Sequence, residues 1–202
     1  MKRIVIIGAS GHGKVAADIA RRTEYDEICF LDDNASLSCC SSYPVVGRSD
    51  DFAAFNCDFF VAIGNPVVRQ RITERLEAEG KRVVTLIHPH AVIAENVSIG
   101  SGSVVMAGAV INPCTAIGKG CIVNTCASID HDCLAGDYVH IAVGSHLCGT
   151  VSVGDGTWIG AGATVSNNVS ICQNCMIGAG AVVIRSIYEA GTYVGIPAEQ
   201  IK

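Results

Sequence analysis

The sequence predicts a two-part chain: an α/β half domain with a parallel sheet over residues 1–86, then a parallel β-helix over residues 87–202 that ends in a closing segment. Three observations carry this. Apolar runs alternate with amphipathic ones through the first 86 residues, an aliphatic residue recurs every six positions from Ile87, and aromatic and charged residues make up only 5% and 16% of the chain against 50% hydrophobic. A core filled by Val, Ile, Ala and Cys suits β-structure. At 202 residues there is room for two small domains.

In chain order, residues 2–8 (KRIVIIG) read as a buried strand, 14–23 (KVAADIARRT) as a helix and 27–33 (EICFLDD) as a second strand. A third strand at 58–64 (DFFVAIG), a helix at 66–80 (PVVRQRITERLEAEG) closed by Gly80, and a last strand at 82–87 (RVVTLI) follow. Strand, helix, strand in that order requires parallel pairing, which makes this half Rossmann-like.

From Ile87 to Val183 the six-residue series has seventeen sites, and only Ala135 is not aliphatic. A small residue usually stands two positions earlier, as at Ser103, Ala109, Cys121 and Ala163. This period fits neither a helix nor an ordinary strand. It fits three flat faces closing an 18-residue triangular coil, with Gly100, Gly118, Gly136 and Gly154 stacked at one corner. Strands in successive coils then pair with one another, and the aliphatic column forms a continuous core.

The turn GASGHGK at 8–14 joins the first strand to the first helix, where backbone N–H groups and the helix dipole favour an anion. Ser10 replaces the second glycine of a dinucleotide fingerprint and the sheet is short, so a nucleotide smaller than NAD is expected. Asp32 and Asp33 end the second strand where carboxylates accept hydrogen bonds from ribose or base, and Gly64 and Asn65 end the third on the same edge.

A second candidate site is the segment IDHDC at 129–133, with a histidine between two acids in a stretch poor in charge. Counting from Ile129 as inward puts His131 and Asp132 at a corner, outside the core. Asp132 or Asp130 can hold the imidazole and raise its basicity. His140 and His146 precede inward residues by one and face outward, and Trp158 stands one coil above His140. A three-histidine metal site made of His131, His140 and His146 is the rival chemistry; a nucleotide-type front domain argues against it, and no metal is expected.

A net charge of −5 with scattered Lys and Arg predicts no nucleic-acid partner. No cleavable leader and no 18-residue apolar span is read, so a soluble cytoplasmic protein is expected. The eleven cysteines are expected to be reduced and to serve as small buried hydrophobes, including the CxxC of Cys172 and Cys175.

Taken together, GASGHGK, FLDD, AIGN, LIHP, VNTCASIDHDC, VHIAVGSHLCG and VGIPA resemble the sugar N-acetyltransferases of bacterial bacillosamine synthesis, relatives of the sialic acid O-acetyltransferases. The resemblance spans essentially the whole chain. It implies a left-handed prism, a homotrimer with sites at subunit interfaces, acetyl-CoA as cosubstrate and a UDP-linked 4-amino-4,6-dideoxy sugar as acceptor. It also implies His131 as general base with Asp132 as its acidic partner. Ser10, Gly11, His12, Asp32, Asp33 and Gly64 would hold the UDP-sugar, and His140, Ala161 and Ala179 would contact acetyl-CoA. A backbone N–H near Gly149 is the expected oxyanion donor. The rival functions are acetylation of a sugar hydroxyl and a non-enzymatic trimer that senses a nucleotide sugar.

Overall fold

In the computed structural model, which describes residues 1–201, contacts divide the chain into one unit of Met1–Pro89 and a second from His90 onward. The first unit is built on β1 (Arg3–Ile7), α1 (Gly11–Arg22) and β2 (Glu27–Leu31). A short hairpin of β3 (Cys39–Cys40) and β4 (Tyr43–Pro44), then β5 (Asp58–Val61), α2 (Pro66–Ala78) and β6 (Arg82–Val83), complete it. The sheet order is β2-β1-β5-β6, all parallel. Ile4, Val5, Ile6 and Ile7 are at most 1% exposed, as a strand covered on both faces requires.

Two local features differ from expectation. The apolar run 82–87 is not one strand: Arg82–Val83 pairs with β5, and Leu86–Ile87 forms a separate two-residue strand. Apolar composition cannot distinguish a continuous strand from one that bends away from its sheet. The hairpin β3–β4 and the 3₁₀ turn Ser49–Ala54 occupy a region with no periodic pattern to read.

The second unit is the left-handed parallel β-helix. Its strands are two residues long, and each pairs in parallel with the residues 18 positions on, as in Ile111↔Ile129, Ile129↔Leu147, Leu147↔Val165 and Val165↔Val183. Three sheets form the faces. One runs from Val92–Ile93 to Val182–Val183 and one from Ser98–Ile99 to Ser170–Ile171. The third contains Ile122–Val123, His140–Ile141, Trp158–Ile159 and Met176–Ile177, and is closed by Thr192–Val194 and the antiparallel Glu199–Ile201.

The six-residue aliphatic series is the core from Val105 onward, and its companions two residues earlier are buried with it, Ser103, Ala109, Ala127, Ser145 and Ala163 all at 0% exposure. Each buried Val or Ile contributes roughly 1.5–3 kcal/mol against exposure, so the column is the main source of the prism's stability. Ile93 and Ile99, nearest the open first coil, are only partly covered, and Ile87 is 37% exposed.

A second six-residue series sets the corners. Every sixth residue from Asn96 to Gly180 has φ between 55 and 70°, the left-handed region that reverses the chain tightly between faces. Glycine and Asn dominate these sites, but Cys114, Cys126, Asp132, Tyr138 and Thr150 also adopt it. The expectation that the cysteines are buried is therefore corrected in part: Cys39, Cys114 and Cys126 are exposed, the last two because they occupy corners. All eleven are free thiols; Cys172 and Cys175 approach with Sγ atoms 3.5 Å apart.

The glycine column forms a close stack. A Cβ built on Gly118 would lie 2.6 Å from the carbonyl carbon of Gly136, and one on Gly100 would lie 2.6 Å from that of Gly118. Gly118→Ala is expected to destabilise the protein by about 1–3 kcal/mol through overpacking against backbone that cannot move aside. Urea unfolding followed by circular dichroism would measure the shift in midpoint.

Candidate active site

The corner at 130–133 is built by its neighbours in the stack. Asp130 leaves the face after inward Ile129 and accepts hydrogen bonds from the His131 N–H and from Asn112 Nδ2, one coil below, both at 2.8 Å. Asp132 takes the left-handed corner position at φ 58°, a conformation that Asp tolerates better than longer side chains. That turn returns its carboxylate toward the preceding residue, and His131 Nδ1 lies 2.7 Å from Asp132 Oδ2. The alternative left open by sequence is resolved in geometry: Asp132 holds the ring and Asp130 holds the backbone.

With its Nδ1–H donated to Asp132, His131 presents Nε2 as an acceptor. Asp132 first, through this hydrogen bond, and then the charge of Asp130 raise the imidazole pKa above its ordinary value. Both His131 and Asp132 are exposed. Gly149 lies one coil above. A Cβ there would come within 2.7 Å of both Nε2 and Cε1 of His131, so only glycine leaves the ring its place. The stack is fastened by Thr150 N–H donating to the His131 carbonyl at 2.9 Å. The Gly149 N–H makes no hydrogen bond among the described residues, which leaves a donor beside the imidazole.

His140 begins another face and pairs with Trp158 one coil above, their ring centroids 4.3 Å apart. Although outward by alternation, His140 is 9% exposed, because Trp158 and Asn124 cover it. Asn124 Oδ1 accepts from Thr125 N–H, which turns its Nδ2 toward His140 Nε2 at 3.2 Å. A groove of about 460 Å³ opens here, lined by His140, Trp158, Met176, Ala161 and Ala179 among others. The three residues expected to contact acetyl-CoA thus share one cavity. His146 stands apart, exposed and 2.7 Å from Ser128 Oγ through Nδ1. Among the described residues no three His, Cys, Asp or Glu side chains form a metal-ligand group.

In the first unit a pocket of about 700 Å³ is lined by Ser10, Asp32, Asp33 and Gly64, with Arg71 and Arg75 of α2. Ser10 is the N-cap residue of α1, and its hydroxyl makes no capping bond, while Gly11 opens the helix. A Cβ at Gly13 would lie 2.2 Å from the Gly8 carbonyl, so helix and strand meet closely under the turn. Asp32 fixes that turn by accepting from Ala9 N–H at 2.7 Å and Asn34 N–H at 2.9 Å. Asp33 accepts from both the backbone and the hydroxyl of Ser49, bonds that hold its carboxyl below the usual range.

His12 does not line this pocket. Its ring packs edge-on against Phe60 at 6.3 Å, and Nε2 is buried without a hydrogen-bond partner. Burial, then the nearby charge of Arg69, pushes its pKa down to about 4, so it is neutral near pH 7. Arg69 is 1% exposed and donates to the carbonyls of Ile63 and Gly64, fixing the end of β5, while Asn65 caps α2 by accepting from Val68 N–H.

Sequence reasoning missed Arg71, Arg75 and Asn112. Arg71 and Arg75 are four residues apart and therefore share a helix face. Arg75 is paired with Asp50, whereas Arg71 has no ion pair or hydrogen bond among the described residues. Asn112 was findable by stepping back 18 positions from Asp130.

Residues 3–76 match the PglD N-terminal domain family, and residues 150–185 match bacterial transferase hexapeptide repeats. The acetyltransferase domain of PglB from Neisseria gonorrhoeae is 38% identical over 100% of both chains, with a TM-score of 0.97. This chain belongs to the hexapeptide-repeat sugar N-acetyltransferases. Within that family, the same Neisseria domain has been solved with acetyl coenzyme A, at 39% identity over 99% of both chains and a TM-score of 0.96. PerB from Caulobacter crescentus, solved with CoA and GDP-perosamine, is 34% identical over 100% of this chain and 98% of its own, with a TM-score of 0.94. The UDP-N-acetylbacillosamine N-acetyltransferase of Bacillus subtilis is 36% identical over 113 residues, 53% of this chain and 52% of that enzyme. The match thus spans about half the length of this curated relative. No helix among the described residues is long and apolar enough to cross a membrane.

Asp132→Asn removes the charge that holds Nδ1–H. The apparent pKa of His131 is then expected to fall toward the ordinary value of about 6.5, read as the titration midpoint of its imidazole signals in NMR spectra.

Proposed function

We propose that this protein transfers the acetyl group of acetyl-CoA to the 4-amino group of a UDP-linked 4-amino-4,6-dideoxy sugar of the bacillosamine type. The observation that carries the reading is the His131 corner, where an exposed imidazole has Nδ1 committed to Asp132 and Nε2 free as a base beside the Gly149 backbone. Relatives named for UDP-N-acetylbacillosamine and GDP-perosamine support an amino-sugar nucleotide as acceptor, and the complexes with CoA and acetyl coenzyme A support the donor.

In the first unit, the free Ser10 hydroxyl, the N–H groups at the start of α1 and the unpaired Arg71 suit a nucleotide diphosphate. Asp32, Asp33 and Gly64 line the same pocket for ribose and base. His12, neutral and edged by Phe60, lies outside the lining of this pocket.

In the transfer step the amine nitrogen attacks the thioester carbonyl carbon, forming the C–N bond. His131 Nε2 accepts the proton that nitrogen loses. Gly149 N–H stabilises the oxyanion, the C–S bond breaks, and the imidazolium returns its proton to the CoA thiolate. No covalent enzyme intermediate is needed, so no cysteine acts as nucleophile.

Assembly follows from where the two halves of this site lie. His131 and the His140–Ala161–Ala179 groove sit at opposite ends of the face carrying Ser128–Ile129, an arrangement that suits a site completed by a neighbouring prism. In a ring of three prisms each groove meets the His131 corner of a neighbour, and a closed homotrimer satisfies all three. Exposed Leu134, Val143 and Met176, at 56%, 50% and 42%, flank these two edges and gain cover in such a ring. The reading places the reaction in the cytoplasm.

Free-thiol release from acetyl-CoA across UDP-amino sugars, their 4-hydroxyl analogues and GDP-amino sugars tests the assignment. Release with a UDP-4-amino sugar alone is expected; preference for the hydroxyl analogue or the GDP sugar overturns it. His131→Ala should lower kcat by ~10² or more with the trimer intact by size-exclusion chromatography. The raised pKa of His131 sets the acid side of the pH profile. The base is lost as pH falls through that value, so the acid limb of kcat/KM lies above about 6.5 and moves to lower pH in Asp132→Asn.

A further inference from the structure

Cys172 stands at the end of the glycine column. Gly118, Gly136 and Gly154 each donate to the carbonyl 17 positions on, at Ala135, Val153 and Ile171, whereas Cys172 N–H donates to Ile187, only 15 positions on. The last circuit is thus two residues short at this corner, and its backbone leaves the seam that forbids a side chain at the sites below. A Cβ at Gly154 would still lie 2.8 Å from the Cys172 carbonyl carbon, so the crowding ends one coil beneath this thiol.

The turn that follows joins two thiols. Cys172 and Cys175 are its first and last residues, with Gln173 and Asn174 between them and Asn174 at φ 58°. A four-residue turn brings its end Cα atoms within about 7 Å, a range that a disulfide spans. Thr157, fully buried one coil below Cys175, fastens both ends: its hydroxyl accepts from Cys175 N–H at 3.1 Å and donates to the Cys172 carbonyl at 2.9 Å. The two Sγ atoms stand 3.5 Å apart, so reaching a bonding distance of about 2.05 Å is a movement of side chains rather than of backbone. No other corner turn between residues 94 and 181 has cysteine at both ends.

The two sulfurs differ in access. Cys172 is partly exposed, whereas Cys175 is buried, and that burial, followed by the hydrogen bond with Cys172, raises the Cys175 thiol pKa. This corner carries neither the groove nor His131, so it faces away from both neighbours in the ring proposed above. We infer that Cys172 and Cys175 form a reversible disulfide site, oxidised by low-molecular-weight disulfides of the glutathione class. The Cys172 sulfur, as thiolate, attacks one sulfur of the small disulfide, forms a mixed disulfide and releases one small thiol. The Cys175 sulfur then attacks the Cys172 sulfur, closes the protein disulfide and releases the second. Two electrons pass from the pair to the small disulfide, and the two cysteine protons leave on the released thiols. Oxidation removes the S–H that reaches the Glu189 carbonyl at 3.6 Å and leaves the Tyr193 hydroxyl donating there at 2.9 Å, so the state of the pair bears on the closing segment.

The test equilibrates folded protein with mixtures of reduced and oxidised glutathione, traps it with acid and maps it by proteolysis and mass spectrometry. A peptide carrying the Cys172–Cys175 bond, lighter by two hydrogen atoms, is expected, and dithiothreitol should reverse it. Because the turn holds the sulfurs together, the equilibrium constant for closure against glutathione should be about tenfold or more higher in the folded protein than in the urea-unfolded chain. Cys175→Ala places at 175 the residue that fills the same inward companion position at Ala163 and Ala181, and it should stop at a mixed disulfide on Cys172. Cys172→Ser should form neither species at this turn, with circular dichroism confirming that both variants fold. Failure to recover the bond from folded protein in fully oxidised glutathione, or closure no easier than in the unfolded chain, overturns the inference. A mixed disulfide on Cys175 in the folded Cys172→Ser protein does so as well. No turnover is read, so the result stands apart from the transferase reading.

Discussion

The in-register pairing of each two-residue strand with its counterpart 18 positions away is the constraint on which the rest of the second unit depends. It places like positions above like along three faces and three corners. Inward positions then make a continuous aliphatic column, and every corner repeats the same left-handed backbone. Because hydrogen bonds between coils hold both faces and corners, the backbone around any one corner is fixed by the coils below and above it.

The His131 site is such a corner with its side chains exchanged. Asn112 below steadies Asp130, the left-handed φ of Asp132 turns its carboxylate onto the imidazole, and the bare Gly149 above leaves the ring room. None of these residues needs a loop of its own. The geometry that makes the imidazole basic is an ordinary property of the repeat, and the specificity lies in which residues occupy three stacked sites.

Much of this was legible because side-chain direction in a hexapeptide prism follows from counting. The aliphatic series located the core, and the +18 step correctly set Trp158 over His140. Counting could not show that the stack would bury His140, since cover depends on ring orientation. Corner chemistry was partly legible in recurring Gly and Asn, yet Cys114 and Cys126 hid it by adopting the same φ without the expected composition. In the first unit, strand ends were readable from GASGHG and FLDD, but the facing of Arg71 and Arg75 depends on the rotation of α2, which a helix with Arg69, Thr73 and Leu76 as its buried set does not announce. Asp32 also proved to brace the glycine turn, a duty that needs the loop's three-dimensional path to see.

The tight glycine column at the third corner has a consequence for how such a chain can change over time. Because Gly100, Gly118 and Gly136 interlock backbone to backbone, an insertion or deletion that is not a whole coil would throw bulky side chains into that seam. Within the coils, length therefore changes in quanta of one full circuit, whereas a segment looped out at a corner leaves the register intact, and the gap between base and closing end behaves as a ruler graduated in single-coil marks.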